Sequence, residues 1–229
     1  MEELSISYLI TCHNETTTLK NLLLRLLSHI NIEDEIVILD DFSDNAETQN
    51  ILSQASYKDN VRLYPHALER NYSRHKNYGT EQCHKKFIFQ IDADELPTEI
   101  LLVNLKDIIS ENPDIDVYCV PRINAFIGLT PEHAKRWGWQ LTESPIYNRL
   151  RVNWPDYQGR LYRRDGKIKW TRRLHEKLEG YQKFAAFPAN EDLALYHDKT
   201  IETQIKTNIR YNEWFSAEEN KGHDGYSNK

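Results

Sequence analysis

Nine residues, Phe87-Ile88-Phe89-Gln90-Ile91-Asp92-Ala93-Asp94-Glu95, limit what this chain can become more than any others. A short apolar run with aromatic and β-branched side chains reads as a buried strand, and it ends in three carboxylates within four residues. Like charges crowded at the end of a buried strand repel one another unless a cation offsets them. In open α/β sheets the carboxyl edge of the strands is also where ligands bind. Asp92 and Asp94 stand two apart, so an extended backbone aims both to one side. Together they can hold one hard divalent cation, Mg²⁺ or Mn²⁺, with positions left for water and a diphosphate. The alternative is a solvated acidic turn that starts a helix, with Asp94 or Glu95 near the helix N-terminus.

The chain on either side supplies a setting for that strand. Leu4 to Thr11 alternates and is rich in β-branched residues, and the polar loop Cys12-His13-Asn14-Glu15 follows. Leu19, Leu22, Leu23, Leu26, Leu27 and Ile30 recur at three and four, which marks an amphipathic helix starting near Thr16 or Thr17. Glu35 to Leu39 is a second strand that again ends in carboxylates, Asp40 and Asp41, and Ser43 is placed to cap a helix bearing Ile51, Leu52 and Ala55. A strand at 61–64, a helix at 71–83 and a helix from Ile100 to Ile109, closed by Asn112-Pro113, continue the alternation. Strands and helices at this spacing predict a mostly parallel sheet with helices on both faces. After 117–120 the pattern loosens into Pro, Gly, aromatics and arginines. Short strands are expected at 161–163, 167–170 and 193–197, and a last helix through Ile201, Ile205, Ile209 and Phe215.

Composition excludes several classes. At 229 residues the chain suits one sizeable domain. No charge-free run reaches the length of a membrane span, and no signal-peptide pattern opens the sequence. A cytoplasmic protein is therefore expected, either peripheral to an inner membrane or, if phage-encoded, in the host cytoplasm. Three scattered cysteines, Cys12, Cys83 and Cys119, lack a Cys-x-x-Cys pair and read as free thiols in a reducing compartment.

Taken in order, the segments resemble family 2 glycosyltransferases of the GT-A fold, an α/β, Rossmann-like sheet with a smaller mixed acceptor half. The carriers are Ser7 to Glu15, Ile36 to Asp44, Asn71 to Gly79 leading into Asp92-Ala93-Asp94-Glu95, Trp154 to Arg164, His175-Glu176, and His197 before a helix. Their spacing is similar to that of lipopolysaccharide inner-core transferases, although Lys76 precedes Asn77 where arginine is usual. The resemblance implies one domain over 1–229: a nucleotide-sugar half (1–97), an acceptor half (98–200), and a C-terminal helix and tail (201–229). It implies a nucleotide-sugar donor, a UDP-sugar first, held by Thr11, Asn14, Glu15, Asp40, Asp41, Asp92 and Ala93, with Arg74, Lys76 and Asn77 toward its phosphates. It implies a Mn²⁺ or Mg²⁺ ion on Asp94 and Asp92, with His197 as a further ligand. Transfer with inversion needs a base, and Glu176 is the first candidate, with Asp192 and Glu191 as rivals.

The acceptor is read from local charge. Between His133 and Leu174 eleven basic residues stand against three acidic ones in a chain of net charge −6. Trp137, Trp139, Tyr147, Trp154, Tyr157, Tyr162 and Trp170 are interleaved. Arginines with aromatics suit an anionic acceptor bearing rings, and Trp137, Trp139, Arg160, Arg163 and His175 are its candidate contacts. A phosphorylated lipopolysaccharide or other surface-glycan core is the first reading. DNA carrying 5-hydroxymethylated cytosine is the second. A non-catalytic nucleotide-sugar-binding module is the third. The competing structural explanation is a set of arginine pairs whose acids lie elsewhere in the fold.

Overall fold

The computed structural model describes residues 4–146 and 149–221, which leaves Tyr147 outside the described residues. The first half alternates as the periodicity predicts: β1 (Ile6–Cys12), α1 (Thr17–His29), β2 (Glu35–Asp40), α2 (Ala46–Ser56), β3 (Val61–Pro65), α3 (Tyr72–Gln82) and β4 (Phe87–Asp92). Then come β5 (Leu96–Pro97), α4 (Glu99–Glu111), β6 (Val117–Ile127), α5 (Pro131–Trp137), β7 (Leu141–Glu143) and β8 (Leu150–Arg163). The chain closes with β9 (Lys169–Thr171), β10 (Lys177–Glu179), β11 (Phe184–Ala186), a 3₁₀ turn at Glu191–Leu193, β12 (Leu195–Thr200) and α6 (Ile201–Trp214).

One sheet runs in the order β3-β2-β1-β4-β8-β6-β12-β5, with β11 on β6 and β7 on β8; β9 and β10 pair separately. Strands β3, β2, β1 and β4 are parallel. Strand β8 is antiparallel to both β4 and β6, so β6 runs the same way as β4. Strand β12 follows β6 in parallel. Register aligns Cys12 with Asp40 and Thr11 with Asp92, so the acidic strand ends share one edge.

Helix α1 shows how the core forms. Leu19, Leu22, Leu23 and Leu26 recur on one stripe and are all buried, each worth roughly 2 kcal/mol relative to exposure. They pack with Tyr8, Ile10, Ile36, Ile38, Phe87 and Phe89 on one side of the sheet. Leu9, Val37, Leu39 and Ile88 project to the other side, against Tyr162, Ile168 and Trp170. Both faces are covered, as parallel strands require. Helix α2 is capped by Asn45, whose side chain accepts from Glu47 and Thr48, and not by Ser43. Ser43 instead donates to Asp40.

Candidate functional site

The β1–α1 and β2–α2 loops are laced together by one residue. Asn14 adopts a left-handed backbone, φ 66°, which asparagine tolerates better than most residues. From there its Oδ1 accepts the backbone N–H groups of Asp44 and Asn45, both at 2.9 Å, and its Nδ2 donates to Asp44 Oδ1 at 2.8 Å. Asp40 is likewise spent locally, accepting the Ser43 hydroxyl at 2.5 Å and the Ser43 N–H at 3.1 Å. Among the described residues the Asp41 carboxylate accepts one hydrogen bond, from the Leu68 N–H at 2.8 Å on Oδ1, and His13 Nδ1 lies 3.8 Å from its Oδ2. Glu15 accepts the His13 N–H on Oε2. Burial, with Asp94 adding to it, pushes the Glu15 carboxyl up to about 7 against the hydrogen bond from His13.

The Asp-x-Asp pair separates at Ala93. Strand β4 ends at Asp92, so the alternation that would aim both carboxylates one way stops there. Asp92 is surrounded by donors: Arg160 at 2.7 Å on Oδ2, Thr11 Oγ1 at 2.9 Å and Gln90 Nε2 at 2.8 Å on Oδ1, and the Lys76 ammonium at 3.5 Å. Burial alone would raise its pKa, but Arg160 and Lys76 hold it well below the usual carboxylate range. Glu95 turns back to accept the Asp92 N–H at 3.0 Å and is buried against Arg160 (2.6 Å) and Arg122 (3.0 Å). Arg160, expected on the acceptor side, is thus the buried counter-ion of the motif, and it also donates to Gln90.

Asp94 faces β12. His197 Nε2 is 3.4 Å and Lys199 Nζ 3.0 Å from its Oδ2. Burial would push the Asp94 carboxyl up, and the neighbouring His197 and Lys199 hold it well below the usual range. The hydrogen bonds fix the histidine tautomer. Asn124 Nδ2 donates to Asp156 at 2.8 Å, so its oxygen faces His197 Nδ1 at 2.7 Å and accepts that N–H. Burial depresses the His197 pKa against the pull of Asp94, and with the proton held on Nδ1 the deprotonated ring presents an Nε2 lone pair toward Asp94. Two acceptors that close fit a cation between them, and a histidine oriented through its other nitrogen is the usual form of a metal ligand. Among the described residues no cluster of three or more His, Cys, Asp or Glu is placed to hold a metal. The donor set therefore fits Mg²⁺ or Mn²⁺ as an open, two-ligand site to be completed by phosphate and water.

Helix α3 does not offer its polar face to solvent. Arg74 does, paired with exposed Glu69. Lys76 is buried and its ammonium sits 2.5 Å from Glu176 Oε1. The Asn77 amide is hydrogen-bonded at both atoms to the backbone of Trp170, at 2.8 and 2.9 Å. Glu176 is thereby brought beside Asp92, though 84 residues separate them in sequence. Neighbouring His175 holds φ 50° and meets the edge of Tyr211.

The remaining expected residues lie apart. Glu191 is buried against Arg151 and accepts the Ser144 hydroxyl at 2.7 Å. Asp192 is fixed through its backbone, by Thr98 and Asn190. Among the described residues no hydrogen bond or ion pair joins either one to Asp92, Asp94 or Glu176. Trp139 stacks on Phe126 (4.7 Å) and lies tilted against Trp137 (4.7 Å), which stacks on His133 (5.4 Å), so these rings spend part of their faces on one another. Arg163 is opposite Phe87 at the other end of β4, with Asp116. Most arginines of the basic run are paired with acids: besides Arg160 and Arg163, Arg149 meets Asp198, Arg151 meets Glu191 and Arg173 meets Glu219. Arg122, Asn124, Asp156 and Lys199 had no signal in the sequence, because each matters only through a partner on another strand.

A sheet of this topology, with acidic strand ends gathered at one edge, is the GT-A class of fold. A family model described as Glycosyl transferase family 2 matches residues 7–182. The chain belongs to glycosyl transferase family 2. Among solved structures it is similar to S. aureus TarS 1-349, with 16% identity and a TM-score of 0.60 over 85% of this chain and 60% of that one. For S. aureus TarS 1-349 in complex with UDP-GlcNAc the figures are 17% and 0.61, over 86% and 59%. For a longer S. aureus TarS chain they are 16% and 0.59, over 90% and 38%. At this identity the likeness carries the fold, and the chain spans about 60% of the length of TarS 1-349. No curated protein matches it. Among the described residues no helix is long and apolar enough to cross a membrane.

Proposed function

We propose that this protein transfers a sugar, with inversion, from a UDP-sugar to a hydroxyl of a bacterial surface glycan, a lipopolysaccharide core being the first acceptor to try. The observation that carries the reading is the facing pair of acceptor atoms on Asp94 and His197, beside a carboxylate, Glu176, delivered from a distant loop. A UDP-sugar is supported by the complexes of TarS with UDP-GlcNAc and UDP. The lipopolysaccharide choice rests on the resemblance in motif spacing. The paired state of the arginines argues against a polyanion such as DNA.

Among the described residues Asp41 and Glu15 each keep an oxygen with no hydrogen-bond donor on it, so they are the groups assigned to the base and ribose of the donor. Thr11, Asn14, Asp40 and Ala93 shape the loops around it. Asp94 and His197 would hold the divalent cation, with Asp92 supporting the loop through its own donors. When bound, that cation neutralises charge on the leaving diphosphate. Glu176 takes the proton of the acceptor hydroxyl as its oxygen attacks the anomeric carbon and the bond to the diphosphate oxygen breaks. On this reading residues 1–97 are the donor half, 98–200 the acceptor half, and 201–229 a closing helix and tail.

Thermal unfolding with a panel of nucleotide sugars, with and without Mn²⁺, tests the reading. A ligand at 100 times its Kd adds about 2.7 kcal/mol, roughly 5–10 °C for a chain of this size. The expected result is one UDP-sugar that stabilises in the presence of Mn²⁺ and loses that effect in Asp94→Asn and His197→Ala. A panel in which no nucleotide sugar shifts the midpoint sinks the proposal.

A further inference from the structure

Helix α3 grips the segment 170–176 at three points. The Tyr72 N–H at its start donates to the Arg173 carbonyl at 3.0 Å. Asn77 imitates a strand edge, its Oδ1 accepting the Trp170 N–H at 2.9 Å and its Nδ2 donating to the Trp170 carbonyl at 2.8 Å. Lys76 completes the grip on the Glu176 side chain at 2.5 Å, with its ammonium 4.8 Å from the centre of the Trp170 ring and 3.5 Å from Asp92 Oδ1. The lysine is only 4% exposed and the Glu176 side chain 14%. This is not the posture of residues waiting for phosphate: the Asn77 amide is engaged at both atoms, and the ammonium lies between two carboxylates.

We infer that Lys76 and Asn77 are positioning residues for Glu176, and that their task is to fix the base and not to bind the diphosphate. The inference rests on the reading of Glu176 as base. A general base works when a third group orients it. Lys76 takes Oε1 and leaves Oε2 as the oxygen that receives the proton, while Asn77 sets the backbone from which the 171–176 loop departs. Because the same ammonium lies near Asp92, the position of the base is tied to the strand end that carries the metal motif.

The experiment compares Lys76→Met, Lys76→Arg, Asn77→Ser, Glu176→Gln and the double variant Lys76→Met/Glu176→Gln. Donor Kd is measured by calorimetry with Mn²⁺, alongside kcat and acceptor KM. A positioned general base contributes about 100-fold or more, so Glu176→Gln should lower kcat about 100-fold or more and Lys76→Met by tens of fold, each with donor Kd unchanged within about threefold. The double variant should fall no further than Glu176→Gln alone, since groups acting as a unit are not additive. Lys76→Arg should recover part of the rate. If Lys76→Met does not fold, Asn77→Ser and Lys76→Arg carry the same comparison of kcat against Kd. Donor Kd weakened about tenfold with kcat retained, or fully multiplicative losses in the double variant, overturns the assignment while the transferase reading stands. A wild-type protein that transfers to no hydroxyl overturns both.

Discussion

Asp92 and Asp94 are neighbours in sequence with separate work in the fold, and the difference is set by what each oxygen meets. The first is locked by Arg160, Thr11 and Gln90, and the second shares space with a histidine and a lysine. The types were legible in the sequence, the division between them was not, because every deciding partner comes from another strand. A second cluster at this scale is His75, buried with its Nδ1 3.0 Å from that of His66. Burial, then the neighbouring His66, pushes the His75 ring down to about 4 from an ordinary 6.5. Between those values the unfolded chain binds the proton and the folded one does not, so stability is complete above pH 6.5 and is lost as pH falls toward 4. The loss is up to about 3 kcal/mol. Urea unfolding at pH 7 and pH 4.5 should show a smaller acid loss in His75→Gln than in the wild type; equal losses would remove His75 as a cause.

Among the elements, α3 shows what close packing demands. A Cβ at Gly79 would stand 2.6 Å from Leu39 Cδ1 and 2.7 Å from Leu9 Cδ1, so the helix rests directly on β1 and β2. Although alanine favours helices, Gly79→Ala should destabilise by about 1–3 kcal/mol through overpacking. A lower urea midpoint with an unchanged m-value would show it, and a raised midpoint would mean the leucines move aside freely. The N-terminal elements were legible because their apolar periods match the buried faces. Strand β8 was legible only over its last three residues. Arg151 and Arg160 are buried polar residues within it, and they erase the period-two signal. Strand β6 continues past Val120 through Pro121, an edge or breaker signal, with register shifts at 118/119 and between 122 and 124. Seven-residue α5 is too short for any period to emerge.

At the scale of the whole molecule, much of the local excess of positive charge is met by acids from remote segments. The alternative weighed from composition accounts for most of the arginines, and sequence could not decide it because the partners are far apart in the chain. Arg151 with Glu191 is the most buried of these contacts between β8 and the turn before β12. Removing one member leaves the other charge alone inside the protein, at about 3–5 kcal/mol. Glu191→Gln should therefore lower the denaturation midpoint sharply, and an unchanged midpoint would show that the pair is not structural. Strand β8 carries both Arg151 toward Glu191 and Arg160 toward Asp92. A single-residue insertion or deletion between them reverses side-chain parity for one end, turning either arginine outward and abandoning its acid. The span from Arg151 to Arg160 should therefore tolerate changes of letter more readily than changes of length.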